Sequence, residues 1–392
     1  MSTVLISGAS IAGPALAYWL HHYGFDVTIV EKADTLRGGG YPIDIRGTAL
    51  DVVERMGLLP ELRAAHIGTR RLTFVNPDGS PIASVNPEAL AGGVEGLDLE
   101  VPRGDLTKAL YAAVRDDVEF LFNDSIATLD DHADGVDITF RSGTRRTFDL
   151  VIGADGLHSG VRALIFGPEE QFHHYLGYCF AGFTMHNDLG LSHEGVIWNV
   201  PGRGAPLYAV GDSENIHGFL TFARADPPFY AFRDPAAQRD LIASVFADDG
   251  WEIPRMVSAM RTADDLFFDV VSQIRLPRWS AGRVALVGDA AYAPSFLTGQ
   301  GSSLALVGAY MLAGELATNA DHTSAFTAYE QATRSFVEQN QALVSEGDAA
   351  MFPRTAEALA QRNAALRELS TLRADTAHPA HNALRLPAFT AS

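Results

Sequence analysis

Three glycine-rich turns, each following a short apolar run, carry the residue types most able to hold an anionic ligand through backbone. The first is Gly8-Ala9-Ser10-Ile11-Ala12-Gly13, behind Val4-Leu5-Ile6. The second is Gly153-Ala154-Asp155-Gly156, which continues through Ser159 to Arg162. The third is Gly288-Asp289, followed by Pro294 and by Thr298-Gly299-Gln300-Gly301-Ser302-Ser303. A helix that begins in such a turn presents unpaired N–H groups and the positive end of its dipole, which suits phosphate. Arg103, at the entry to the helix expected over Leu106–Val114, is awkward there unless it serves an anion or polar ligand.

The elements around the first turn spell out a βαβ unit. Leu16, Trp19, Leu20 and Tyr23 recur at helical spacing until Gly24, and Phe25–Val30 reads as a second strand. Gly8 allows the tight strand-to-helix turn and Gly13 the close packing of helix on strand. Glu31, at the end of the second strand, stands where a carboxylate accepts from a ribose diol. Ser10 occupies the middle glycine of the G-x-G-x-x-G pattern, where backbone approaches pyrophosphate. The pattern indicates a dinucleotide and does not separate NAD from FAD.

Four stretches follow from the order of elements. Residues 1–171 read as a dinucleotide-binding domain, with two strands near 70–100, Arg71–Val75 and Pro81–Val85, contributed to a second sheet. From about 172 to 277 the composition turns to aromatics, histidines and turn residues, with strand-like runs at Tyr178–Met185, Gly195–Trp198, Leu207–Val210 and His217–Phe222. Residues 278–318 return to the first domain through a buried strand ending in Gly288-Asp289. Residues 319–392 are helical, broken near Pro353, with a Pro/Ala-rich tail from Asp375 expected to be loosely held. Arg146–Val151 reads as a single strand, and Arg37–Gly47 as a glycine-rich loop leading into a short strand that carries Asp44 and Arg46.

Composition narrows the function classes. A net charge of -19 speaks against nucleic-acid and anionic-membrane surfaces. Cys179 is the only cysteine, which excludes an internal disulfide, a CxxC redox pair and a multi-cysteine zinc site, and no metal is expected. The chain opens almost at once on its first strand and has no apolar run long enough to span a bilayer, so a cytoplasmic monomer or homodimer is the expectation.

Together, the Gly8–Gly13 turn with Glu31, the Asp155-Gly156 segment, and Gly288-Asp289 with Pro294 and Gly299-Gln300-Gly301 resemble the FAD-dependent aromatic hydroxylases of class A, with the para-hydroxybenzoate hydroxylase fold. The likeness spans nearly the whole chain. It implies an α/β protein: a Rossmann-like FAD-binding domain, an antiparallel β-sheet substrate domain and C-terminal helices. The compact size and the sequence GGGYPIDIRG are also similar to tetracycline-inactivating monooxygenases. The cofactor-binding residues expected on this resemblance are Gly8, Ser10, Ile11, Ala12, Gly13, Glu31, Lys32, Arg46, Arg103, Asp155, Gly156, Gly288, Asp289, Pro294, Gly299, Gly301, Ser302 and Ser303. Arg103 matches the family's FAD-contacting arginine, Asp289 would bind the ribityl or pyrophosphate portion, and Gly299–Ser303 would lie against the flavin ring. Ser303 replaces a frequent asparagine, and Val307-Gly308 a frequent Glu-Asp pair.

The resemblance implies non-covalent FAD, transient reduction by NAD(P)H, and transfer of one oxygen of O2 through a flavin C4a-hydroperoxide to an aromatic or polycyclic phenolic or enolic small molecule. No catalytic side chain is named firmly. The expected substrate pocket comprises Trp198, Tyr208, His217, Phe219, Phe222, Pro294 and Phe296, and ordinary core packing is the competing explanation for each sheet aromatic. Three alternatives stay open: Baeyer–Villiger oxygenation on the same scaffold, a flavoprotein reductase without oxygen transfer, and a redox-silent nucleotide sensor. The absence of a second G-x-G-x-x-G argues against a fixed nicotinamide domain, and Val196–Pro201 falls short of the WxWxIP of tryptophan halogenases.

Overall fold

The computed structural model describes residues 2–36, 41–94, 96–228, 231, 234–369 and 377–390. The expected glycine loop at 37–40 lies outside these. Val4, Leu5 and Ile6 are buried on both faces of the strand Thr3–Ser7, as a continuous apolar run in a parallel sheet demands. That strand sits inside a six-stranded sheet, in the order Ser280–Ala281, Val284–Leu286, Leu150–Gly153, Thr3–Ser7, Asp26–Glu31, Glu119–Phe122. All pairings are parallel except that of Ser280–Ala281. The helix Ala12–His22 packs on the helix Gly301–Thr318, which is apolar around nearly its whole circumference and runs through the core.

The stretch read as one strand over Arg146–Val151 is divided at Asp149. Asp149 Oδ2 accepts from Thr3 N at 2.7 Å and from Thr3 Oγ1 at 3.0 Å. These bonds turn the chain from Arg145–Phe148, in a three-stranded antiparallel sheet, into Leu150–Gly153 of the parallel one. Alternation alone could not show a corner made by a side chain bonding backbone 146 residues away.

The second large sheet has seven strands, in the order Phe267–Ile274, His173–His186, Asn215–Ala223, Arg203–Ala209, Glu194–Val200, Arg71–Val75, Pro81–Val85. Its pairings are antiparallel except for the parallel join of Arg71–Val75 to Glu194–Val200. One face is sealed by the helices Pro235–Val245 and Ile253–Thr262. The other looks toward the parallel sheet and the two-stranded pair Pro42–Ile45 with Leu99–Pro102, and is capped at one end by the helices Val344–Met351 and Ala356–Leu369.

The tail departs from its expectation, because residues 377–390 lie along the body of the protein. Leu384 O accepts from Thr48 Oγ1 at 2.7 Å, and Pro387 O accepts from Arg55 Nη1 at 2.8 Å and Tyr310 OH at 2.6 Å. Phe389 fills a notch at Gly314, where a Cβ would stand 1.9 Å from its ring. His381 is buried, and burial lowers its imidazole to about 4. Composition marked this segment as Pro/Ala-rich but could not show that its carbonyls have donors waiting.

Candidate functional site

The carboxyl ends of three neighbouring parallel strands meet in one cleft, where an open α/β sheet binds its ligand. Gly8 has φ 109° and its missing Cβ would lie 2.5 Å from Ala154 O, while a Cβ at Gly13 would collide with Gly8 O at 1.9 Å. Only glycines let the turn, the helix and the adjoining strand approach this closely. The first turn of Ala12–His22 holds no acidic side chain and no side-chain cap, so its N–H groups stay available to an anion. Ser10, Ile11 and Ala12 line this turn, and Gly288 packs its backbone against Ala12.

Glu31 has a local partner set. Its Oε2 accepts from Ala9 N at 2.8 Å and its Oε1 from Ala33 N at 3.0 Å, which ties the end of the second strand to the turn. Lys32 beside it is exposed. Asp155 accepts from Ser159 Oγ and from Val161 N at 3.1 Å, and so caps the helix Gly160–Phe166; burial pushes its carboxyl up. Gly156, with φ 85°, faces open space.

Arg103 and Asp289 converge from opposite sides of the cleft. Arg103 Nη2 donates to Ser10 Oγ at 2.7 Å. Asp289 opens the short helix Asp289–Tyr292, and a Cβ on Gly301 would lie 3.8 Å from its Oδ1. Its side chain keeps accessible surface while protein crowds the carboxyl closely. Burial raises its carboxyl, and Arg103 opposes that shift. Gly299 and Gly301 form the turn into the Gly301–Thr318 helix, and both side-chain amide atoms of buried Gln300 lack partners among the described residues. Ser302 and Ser303 are buried in its first turn, and Ser303 Oγ accepts from Arg46 N at 3.1 Å. The Arg46 guanidinium itself pairs with Asp44 at 2.8 Å and Asp98 at 3.6 Å.

The aromatic residues separate by the two-residue period of a strand. Tyr208 and His217 are cross-strand partners on the face toward the parallel sheet, and Phe219 lies on that face two residues beyond. Burial lowers the His217 imidazole. Trp198 and Phe222 are corrections to the expected pocket. Both point to the opposite face, into the core beneath the helices 235–245 and 253–262, where Phe222 meets Phe246 at 6.3 Å and Trp198 Nε1 donates to Pro77 O at 3.4 Å. Pro294 is buried, and its carbonyl accepts from Gln273 Nε2 at 3.0 Å. Ser295 has φ 79°, rare for a side chain, and just after it Phe296 is 40% exposed.

Sequence reasoning missed Tyr41, Phe180, Glu100 and the pair His158–Asp269. The Tyr41 ring lies 6.1 Å from Phe219, and Phe180 lies 4.7 Å from Phe296. Burial raises the Tyr41 hydroxyl, with Arg103 opposing. Alternation along Tyr178–Phe180–Gly182 carried the signal for Phe180; Tyr41 had none beyond adjacency to three glycines.

A family profile described as an FAD binding domain matches residues 1–343. The chain belongs to the FAD-dependent monooxygenase family. This family member is 39% identical over 363 residues to a flavin-dependent monooxygenase of an unknown prokaryotic organism, covering 92% of this chain and 94% of that one. A flavin-dependent monooxygenase of Legionella longbeachae is 37% identical over 339 residues, covering 86% of each. An uncharacterised Mycobacterium tuberculosis protein is 46% identical over 348 residues, covering 88% of this chain and 93% of its own length. Among solved structures, the tetracycline destructase Tet(55) superposes with a TM-score of 0.85 at 36% identity, covering 99% of both chains. Klebsiella pneumoniae HpxO, solved with FAD and uric acid, shares the fold with a TM-score of 0.73 at 21% identity, covering 94% of this chain and 93% of that one.

FAD is the family's cofactor, and the residues present fit it: two cradles that a Cβ would fill, a helix N-terminus without acid, and an orphaned buried amide at Gln300. Among the described residues no group of His, Cys, Asp or Glu is arranged to hold a metal ion, and no helix is long and apolar enough to cross a membrane.

Proposed function

We propose that this flavin-dependent monooxygenase uses NAD(P)H and O2 to hydroxylate an aromatic or polycyclic phenolic or enolic small molecule. The observation that carries the reading is the meeting of Arg103, Asp289 and the Gly301 helix start with the Tyr41–Phe219 face of the second sheet. Bound FAD would supply the electron relay and the activation of O2. Ser10 and Arg103, with Asp289, would hold its polar side chain, and the start of the Gly301–Thr318 helix would stabilise negative charge placed before it. Tyr41, Phe180, Phe219 and Phe296 would line a dry, flat slot for the substrate. In this reading residues 1–171 and 278–318 bind the cofactor, the 172–277 sheet with strands from 70–100 binds the substrate, and 319–392 closes the site. Likeness to a tetracycline destructase over 99% of the chain favours a polycyclic substrate.

The test is NADH and NADPH oxidation by the FAD-loaded protein, alone and with tetracycline and a panel of polycyclic phenols, under isotopically labelled O2. A substrate should accelerate oxidation and gain one labelled oxygen. Peroxide with unchanged ligand, or oxygen drawn from water, defeats the reading. A ring-expanded product of the same mass gain, seen by NMR, moves it to Baeyer–Villiger chemistry, and turnover that proceeds without O2 moves it to a reductase.

A further inference from the structure

Three successive backbone carbonyls between Asp289 and Phe296 are held by two buried glutamine side chains. Gln341 Nε2 donates to Ile274 O at 2.9 Å and shares its other proton between Tyr292 O at 3.2 Å and Ala293 O at 3.3 Å. Gln273 Nε2 donates to Pro294 O at 3.0 Å and to Gln341 O at 2.8 Å. The Gln273 amide can point only one way. Its Oε1 accepts from Arg275 Nε at 3.1 Å and Nη2 at 2.7 Å, and a guanidinium only donates. Gln273 is fully buried and both ends of its amide are paired, so it fixes the Pro294 carbonyl rigidly.

The chain beyond Pro294 is tied down as firmly. Ser295 O accepts from Thr298 N at 3.2 Å and from Thr298 Oγ1 at 3.0 Å, and Ser295 Oγ accepts from Leu297 N at 3.4 Å. The helix Val344–Met351 presses on the same turn, since a Cβ on Gly347 would stand 2.0 Å from Leu297 O. With the peptide on each side fixed, Ser295 absorbs the reversal. Its φ is 79° and its ψ 147°, a conformation that glycine adopts readily and a side chain does not. The reversal sets the Phe296 ring 4.7 Å from Phe180 and 6.2 Å from Phe352, with 40% of the residue still exposed. Phe180 shares a side of its strand with Tyr178, opposite to the core that takes Cys179 and Ala181.

Resting on the hydroxylase reading, we propose that Gln273 and Ser295 are positioning residues for that reaction, which hold Phe296 beside Phe180 as a fixed wall of the substrate slot. Both act through Phe296 and not on the substrate. Gln273 draws the Pro294 carbonyl inward, and the unfavourable backbone of Ser295 converts that into an outward-facing ring. A wall held in advance spares a polycyclic substrate the ordering of that side chain when it binds. A side chain kept at this φ therefore gives up some fold stability for a preformed site.

The probes are tetracycline and alizarin, two polycyclic phenols, titrated into the protein at saturating FAD. Ser295→Gly should melt at or above the wild-type temperature, because glycine takes this conformation without strain. It should also bind the probe about 2- to 10-fold more weakly, because Phe296 is then ordered only on binding. A residue with a structural role alone gives the opposite pair, a lower melting temperature with affinity intact. Phe296→Ala should weaken the probe as well, and adding Ser295→Gly to it should change affinity by less than about twofold, since the ring being aimed is gone. Gln273→Met should match Ser295→Gly in affinity loss while melting lower, because it leaves the buried Pro294 carbonyl without a donor. If Gln273→Met does not fold, the Ser295 and Phe296 cycle decides alone. The proposal is overturned if neither probe binds wild type, if Ser295→Gly melts below wild type or binds as tightly, or if Ser295→Gly and Phe296→Ala weaken binding additively. Labelled oxygen entering a probe, with Ser295→Gly behaving as wild type, strikes the positioning and leaves the hydroxylase reading. A non-additive loss of binding with no oxygen transfer to any phenol does the reverse.

Discussion

Arg103 Nη2 donates to Ser10 Oγ at 2.7 Å, joining the dinucleotide turn to a helix start 93 residues later. Ser10 stands where the pattern has its middle glycine, so a departure from the pattern is also the partner that aims an arginine. The same arginine bears on Asp289 and Tyr41 across the cleft.

Arg103→Ala should weaken FAD binding by about ten- to a hundredfold, since a hydrogen bond to a charged group is worth roughly 1.5–3 kcal/mol. Ser10→Gly should weaken it less, because backbone N–H groups remain. Flavin fluorescence titration of the two variants decides this, and equal affinity in wild type and Arg103→Ala contradicts the role.

Asp289→Ala should lose FAD on gel filtration, whereas the flavin-free protein should melt close to wild type. The side chain keeps accessible surface, so its removal empties no packed core position. A fall in the melting temperature of the flavin-free protein with cofactor affinity intact would invert the assignment.

Trp198 and Phe219 make a paired test of the two faces of the second sheet. Trp198→Ala should cost about 3–5 kcal/mol of stability, because it empties a packed core position. Phe219→Ala should cost much less stability and should chiefly raise the KM of an aromatic substrate. Denaturant melts beside steady-state kinetics separate the outcomes, and a KM effect confined to Trp198→Ala would reverse which face binds.

The parts of the fold legible in the sequence are those written locally. Gly8 to Gly13 with Glu31, the hairpin at 71–85 and the long apolar helix after Gly301 follow from turn residues and periodicity. The face of each sheet aromatic did not, since Trp198 and Tyr208 both sit in alternating runs and only the packing helices decide which side is filled. Arg46 could not be read either, because its acid partner Asp98 is a neighbour only in space. The tail at 377–390 is held by donors from Thr48, Arg55 and Tyr310, all remote in sequence.

His158 should give the protein an alkaline limb of stability. Its imidazole bonds Asp269 at 3.2 Å and Glu169 at 2.8 Å, and these two bonds raise it to about 10. Because the folded value exceeds the ordinary 6.5, the stabilisation is complete below about pH 6.5 and is lost as pH climbs toward about 10. His158 is exposed enough for water to screen the pair, so the effect should be small. Melting temperature against pH should fall more gently over this window in Asp269→Asn, and parallel curves would remove the pair from the account.

At one end the seven-stranded sheet finishes with Arg71–Val75 and the edge strand Pro81–Val85, and the next strand inward is Glu194–Val200. Recombination between homologous genes therefore meets a forbidden interval. A crossover between residues 86 and 193 inherits Leu72 and Phe74 from one parent and Gly195 and Ile197, which pack against them, from the other. Chimaeras joined inside that interval should fold only when the parents agree at this seam, while joins that keep both halves of the sheet from one parent carry the substrate face across intact.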